Sequence, residues 1–92
     1  GRGPFQVSST IVTGPILSQL TDKSIVINCY LNIKSKFSIT IDGQTYSNKN
    51  TSKHQEIHVT GLKPATLYHY TINLGDFSET HSFTTAPKAG SK

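Results

Sequence analysis

Tryptophan and methionine are absent from this 92-residue chain, cysteine occurs once, and charged side chains make up only 15% of it. The lone Cys29 can form neither an intramolecular disulfide nor a thiolate metal cage. It lies in an apolar alternation, where it reads as a small buried hydrophobe, and it leaves the redox compartment open. No stretch approaches the roughly 20 apolar residues of a membrane span, so membrane insertion is not expected. The first residues lack the basic and apolar blocks of a signal peptide. Helical periodicity is also missing: no window of about eleven residues carries apolar side chains at i, i+3, i+4 and i+7 without Gly, Pro or a β-branched cluster interrupting it.

Charge of one sign is not gathered anywhere. Nine Lys plus Arg against five Asp plus Glu give a formal +4, yet the lysines are spread from Lys23 to Lys92 and only Lys34 and Lys36 lie close together. Nucleic-acid binding needs a basic stripe with stacking aromatics between the cations, so no nucleic-acid partner is expected.

What the chain does have is period two. Ile25, Ile27 and Cys29 alternate with Val26 and Asn28. Phe37, Ile39 and Ile41 alternate with Ser38 and Thr40, and Tyr68, Tyr70, Ile72 and Leu74 with His69, Thr71 and Asn73. Turn residues fall between these runs at Thr21-Asp22-Lys23, Asp42-Gly43, the polar stretch from Ser47 to Lys53, and Gly75-Asp76. This spacing predicts seven strands: Val12 to Gln19, Ser24 to Leu31, Lys36 to Asp42, Gln44 to Ser47, Gln55 to Thr60, Leu67 to Leu74 and Glu79 to Thr85. The fold class is therefore all-β, a seven-stranded antiparallel sandwich in one domain. Asp42-Gly43 is a hairpin signal, because Gly takes positive φ at no steric cost. That hairpin should form an edge, with the polar loop after it carrying the chain to the other sheet. Gly1-Arg2-Gly3-Pro4 and Ala86 to Lys92 read as ends, which makes residues 1–9 an N-terminal tail or cloning remnant, 10–87 the domain and 88–92 a linker.

Between the fifth and sixth runs the chain reads Gly61-Leu62-Lys63-Pro64-Ala65-Thr66-Leu67-Tyr68. A strand meets Gly, an apolar Leu, a Pro that fixes φ, and a Tyr that opens the next alternation. This layout fits a tyrosine corner, in which the Tyr68 ring packs under the connection between sheets and its hydroxyl bonds a backbone group a few residues upstream. Leu62 should plug the same end of the core. Leu62, Pro64 and Tyr68 are thus the structural candidates.

On these residues, and on Phe83-Thr84-Thr85-Ala86-Pro87, the chain resembles the fibronectin type III domain, whose corresponding connection reads G-L-x-P-x-T-x-Y and whose last strand ends near T-T-x-P. The resemblance runs from about Gly14 to Pro87 and implies that immunoglobulin-like sandwich. It departs at the second strand, where the family usually sets a Trp and this chain has Cys29; Phe5, Phe37 and Tyr30 are the candidates to fill the space. A narrower resemblance is to the N-terminal domain of purple acid phosphatases and related metallophosphoesterases. It rests on Gly14-Pro15-Ile16-Leu17, Thr21 to Val26, Tyr68 to Ile72, Gly75-Asp76 and Ser78 to Thr85. It implies an accessory module, used in packing or positioning, with a catalytic domain following in the same chain. The setting it implies is extracellular, periplasmic or at the cell surface. The alternative is an independent extracellular module that binds protein or carbohydrate through an edge strand or end loops such as Ser47 to Lys53.

Candidate chemistry is sparse. By strand parity His58 and His69 face outward and His81 shares a face with Phe83, while metal sites need ligands converging at fixed spacing. Phosphoester hydrolysis by a two-metal centre would take several Asp, His and Asn ligands, and Gly75-Asp76-Phe77 alone reads as a turn. No Gly-x-Ser-x-Gly elbow is present. No catalytic residue, metal ligand or cofactor is expected, and the domain is not expected to be an enzyme. Asn50-Thr51-Ser52 is an N-glycosylation sequon in a predicted loop.

Overall fold

A computed structural model of the chain describes residues 9–48, 51–75 and 77–88. Phe5, Lys49, Asn50, Asp76 and both terminal stretches, 1–8 and 89–92, lie outside the described residues. Seven strands follow one another: β1 (Ile11–Ser18), β2 (Ile25–Ser35), β3 (Ser38–Ile41), β4 (Gln44–Ser47), β5 (Ser52–Val59), β6 (Leu67–Leu74) and β7 (Phe77–Thr84). They form two antiparallel sheets, β1-β2-β5 and β4-β3-β6-β7, packed face to face.

The alternation in the sequence decides which side chains meet. Ile25, Ile27, Cys29 and Leu31 of β2, with Ile57 and Val59 of β5, form one wall of the core. The opposite wall is Ile39 and Ile41 of β3, Tyr68, Tyr70, Ile72 and Leu74 of β6, and Phe83 of β7. Phe37 lies just before β3 and joins the same buried cluster. Tyr30 does not fill that space. Its parity turns it to the outer face of the three-stranded sheet, where it is 42% exposed and its ring stacks on His54 at 4.4 Å.

Asp42 and Gly43 both have positive φ, 51° and 79°, the backbone of a two-residue turn whose twist matches the flanking strands. β4 is accordingly an edge, and the next strand, β5, lies in the other sheet. β5 starts three residues earlier than alternation alone suggested, because Gln55 is fully buried and draws the polar stretch into register. Its Oε1 accepts from Asn48 Nδ2 at 2.6 Å, and its Nε2 donates to the Ser52 carbonyl at 3.0 Å.

Edge strand β1 is interrupted at Gly14-Pro15, where the register against β2 shifts. Proline is tolerated there because an edge strand leaves one row of N–H groups unpaired. Gly14 is required for two reasons: its φ is 112°, and a Cβ would sit 2.8 Å from the Asn28 carbonyl oxygen. Gly14→Ala should therefore lower stability by about 1 to 3 kcal/mol or more. Thermal unfolding would show this as a Tm lowered by at least about 4 °C, and an unchanged Tm would mean that β1 relaxes away from β2 at no cost.

Candidate functional site

Antiparallel strands place the connections of the sandwich at two poles. At one pole lie the β1–β2, β3–β4 and β5–β6 connections and the end of β7; at the other lie β2–β3, β4–β5 and β6–β7. The first pole is built around the tyrosine. Tyr68 opens β6 with its ring in the core, 5.7 Å from the ring of Phe83, and its hydroxyl accepts the Lys63 N–H at 2.9 Å.

Four backbone donors of the connection are used. Leu62 N–H goes to the Lys23 carbonyl at 3.0 Å, Lys63 N–H to Tyr68, Ala65 N–H to the Ala86 carbonyl at 2.9 Å, and Thr66 N–H to Thr85 Oγ1 at 2.9 Å. Pro64 has no N–H to satisfy, and its carbonyl accepts from Thr66 Oγ1 at 2.7 Å. Leu62 packs half-buried against the core at this end.

Sequence reasoning missed Thr85, which is buried at 3% exposure and ties the same loop from the other side. Its Oγ1 donates to the Lys63 carbonyl at 2.5 Å while accepting from Thr66, and its own N–H reaches the Thr66 carbonyl at 3.0 Å. Ala86 N–H then bonds the Thr21 carbonyl at 3.1 Å. The end of β7 is fastened to two separate connections before the chain leaves. The available signal was the buried parity of Thr85 two residues after Phe83.

The titratable groups do not converge. His58 Nε2 lies 2.6 Å from Glu56 Oε2 on the solvent face of β5, and His69 is exposed on β6. His54 Nε2 is 2.9 Å from Asn28 Oδ1 on the outer face of the other sheet. His81 is half-buried on β7, bonded to Glu79, with its ring tilted against Tyr70 at 5.7 Å. Among the described residues no group of three or more His, Cys, Asp or Glu side chains could hold a metal ion.

Cys29 and Tyr70 meet in the core near Glu79. Burial, reinforced by the Glu79 charge, pushes the thiol up from 9.0 to about 12. Burial, then Cys29 and Glu79, push the Tyr70 phenol up from 10.0 to about 12. Both stay protonated and inert at neutral pH.

A family model described as the purple acid phosphatase N-terminal domain matches residues 17–85. No curated protein matches the chain in sequence. Among solved structures, the sensor domain of the anti-sigma factor RsgI4 of Pseudobacteroides cellulosolvens is similar in two forms. The shorter has a TM-score of 0.65 at 16% identity, covering 89% of this chain and 98% of that one; the longer has 0.64 at 19%, covering 95% and 96%. A fibronectin type III domain of the human KIAA0970 protein has a TM-score of 0.59 at 17% identity, covering 85% and 74%. At these identities the likeness is one of fold.

Two outcomes test the pole and the core. Tyr68→Phe, which strands the Lys63 N–H, and Thr85→Val, which strands a carbonyl and an N–H, should each cost about 1 to 3 kcal/mol in denaturant unfolding; a loss below about 0.5 kcal/mol in both would show that water satisfies the loop equally well. The second concerns pH. Between about 9 and 12 the folded thiol keeps a proton that the unfolded one loses, so the unfolded state binds fewer protons and stability falls as pH rises through that window. Cys29→Ala should flatten the fall between pH 9 and 10, before an unfolded tyrosine ionises, and the native thiol should resist a thiol-reactive dye until denaturant is added.

Proposed function

Because this chain belongs to the family of purple acid phosphatase N-terminal domains, matched over residues 17–85, we propose that it positions a phosphoesterase catalytic domain that follows it in the same polypeptide. The domain is an accessory module, non-catalytic in itself. Its contribution is mechanical: a fixed point of departure for the chain that leads onward.

The observation that supports this is the fastening of the β7 end. Thr85 and Ala86 are held by Lys63, Thr66 and Ala65 on one side and by Thr21 on the other. Pro87 follows directly and restricts the backbone of Ala86 as well as its own. A segment held in this way transmits the orientation of the sandwich to whatever is attached beyond it, whereas a free tail would lose it within a few residues.

The reading frame of the source gene should continue past Lys92 into a domain rich in Asp, His and Asn metal ligands, and a stop codon there overturns the proposal. The isolated domain, assayed against a phosphate monoester with added zinc, iron or manganese, should turn over no faster than buffer. In the longer protein, Thr85→Val should leave metal content unchanged and lower the unfolding temperature of the sandwich.

A further inference from the structure

The second pole is built differently. Where the β2–β3, β4–β5 and β6–β7 connections come together, a concavity of about 420 Å³ opens, lined by Lys36, Phe37, Ser38, Ser47, Asn48 and Asn73. That volume is within the usual range for a small-ligand site, about 300 to 1,000 Å³. Phe37 is buried and forms part of its floor.

The polar groups around it are held in place but not used up. Asn73 Nδ2 donates to Ser38 Oγ at 3.3 Å and to Thr40 Oγ1 at 3.2 Å, which fixes the amide plane and leaves Oδ1 with no hydrogen bond among the described residues. Asn48 Nδ2 is committed to Gln55 at 2.6 Å, which likewise fixes that amide and leaves its Oδ1. Ser47 Oγ makes no hydrogen bond among the described residues. Lys36 is exposed; among the described residues it forms no ion pair and no carboxylate lines the concavity.

A cation with no ion pair among the described residues therefore stands beside two hydroxyls that can donate and accept and two amide oxygens that accept. A phosphate group presents mainly acceptors and is opposed by the two amide oxygens, which can only accept, whereas sugar hydroxyls can donate to them. A ring of hydroxyls carrying one carboxylate matches the set.

The uncharged surface continues beyond the concavity. On the outer face of the four-stranded sheet Ser47, Ser38, Asn73 and Ser78 form one rank across the strands, and Thr45, Thr40, Thr71 and Thr80 form the next. Thr40 and Thr45 bond each other at 3.2 Å, and Thr71 and Thr80 at 3.1 Å. A chain of sugar units seated in the concavity would meet a surface of its own chemistry along this face.

We propose that this concavity binds a hexuronate unit of an acidic polysaccharide, with Lys36 pairing the carboxylate and Ser38, Ser47, Asn48 and Asn73 bonding the ring hydroxyls. The site is independent of any domain that follows the chain, so it stands or falls apart from the phosphoesterase reading.

Amide NMR titration of the 92-residue chain with trigalacturonate, galactose and inorganic phosphate in parallel provides the test. Trigalacturonate should shift the Ser38, Ser47, Asn48 and Asn73 resonances saturably. Lys36→Gln, a change at an exposed position, should weaken its binding about 2- to 5-fold, the value of a solvent-exposed ion pair. Asn73→Ala should weaken it further, with an unchanged pattern of core amide shifts showing that the fold persists. Three results overturn the proposal: no saturable shift at these four residues, equal binding of galactose together with indifference to Lys36→Gln, or phosphate displacing the sugar, which would mark a general anion site.

Discussion

A sandwich of two sheets has to carry its backbone across the edge of its core, and a backbone there cannot leave buried N–H groups unpaired. In this domain the crossing from β5 to β6 is made possible by Tyr68. Its ring contributes to the core, and its hydroxyl extends far enough to take the Lys63 N–H. One side chain thus meets an apolar and a polar requirement at once, which no aliphatic residue could do. Thr85 completes the arrangement at the neighbouring Lys63 carbonyl and Thr66 N–H. The order of strands at that end depends on these two hydroxyls, because they join β6, the end of β7 and the connection into one hydrogen-bonded unit.

The core walls could be read from the sequence because burial on a strand largely obeys a period of two, as at Ile25, Ile27, Ile39, Ile41, Ile72 and Leu74, although Val26, on the other face of β2, is buried as well. The β3–β4 turn could be read from Asp42-Gly43 for a local steric reason. Features that depend on two distant segments could not. Gln55 is a polar residue in a core position, intelligible only once Asn48 and the Ser52 carbonyl are beside it. Tyr30 passed for a possible core filler until its register partner on β5, His54, placed it on the outer face. The need for glycine at position 14 comes from the Asn28 carbonyl of the next strand, which nothing near Gly14 in sequence announces.

The same periodicity explains why no metal-holding cluster of His, Cys, Asp or Glu forms among the described residues. Catalytic groups need convergence, and the strand periodicity that builds this core sends His54 and His58 to solvent on β5 and His69 to solvent on β6, in different sheets. His81 and Glu79 point inward on edge strand β7, where they bond each other. An inward-facing polar pair on an edge makes addition of another strand costly, since a partner would have to cover it. That role fits their position without any chemistry.

Function in such a scaffold is therefore pushed to the poles, and the two poles here differ in how their polar groups are used. Around Tyr68 and Thr85 the hydroxyls and several loop N–H groups are bonded to one another, so their polar groups are largely used up even though a concavity of about 370 Å³ opens beside them. Around Asn48 and Asn73 the amides are fixed through their nitrogens while their oxygens take no hydrogen bond among the described residues, and Lys36 forms no ion pair among them. Rigid, unsatisfied groups are what a binding site requires, because the cost of ordering them has already been met in folding. If, as proposed, one end anchors a following domain and the other recognises a ligand, the two tasks do not compete for the same residues, and the core between them needs only to be stiff.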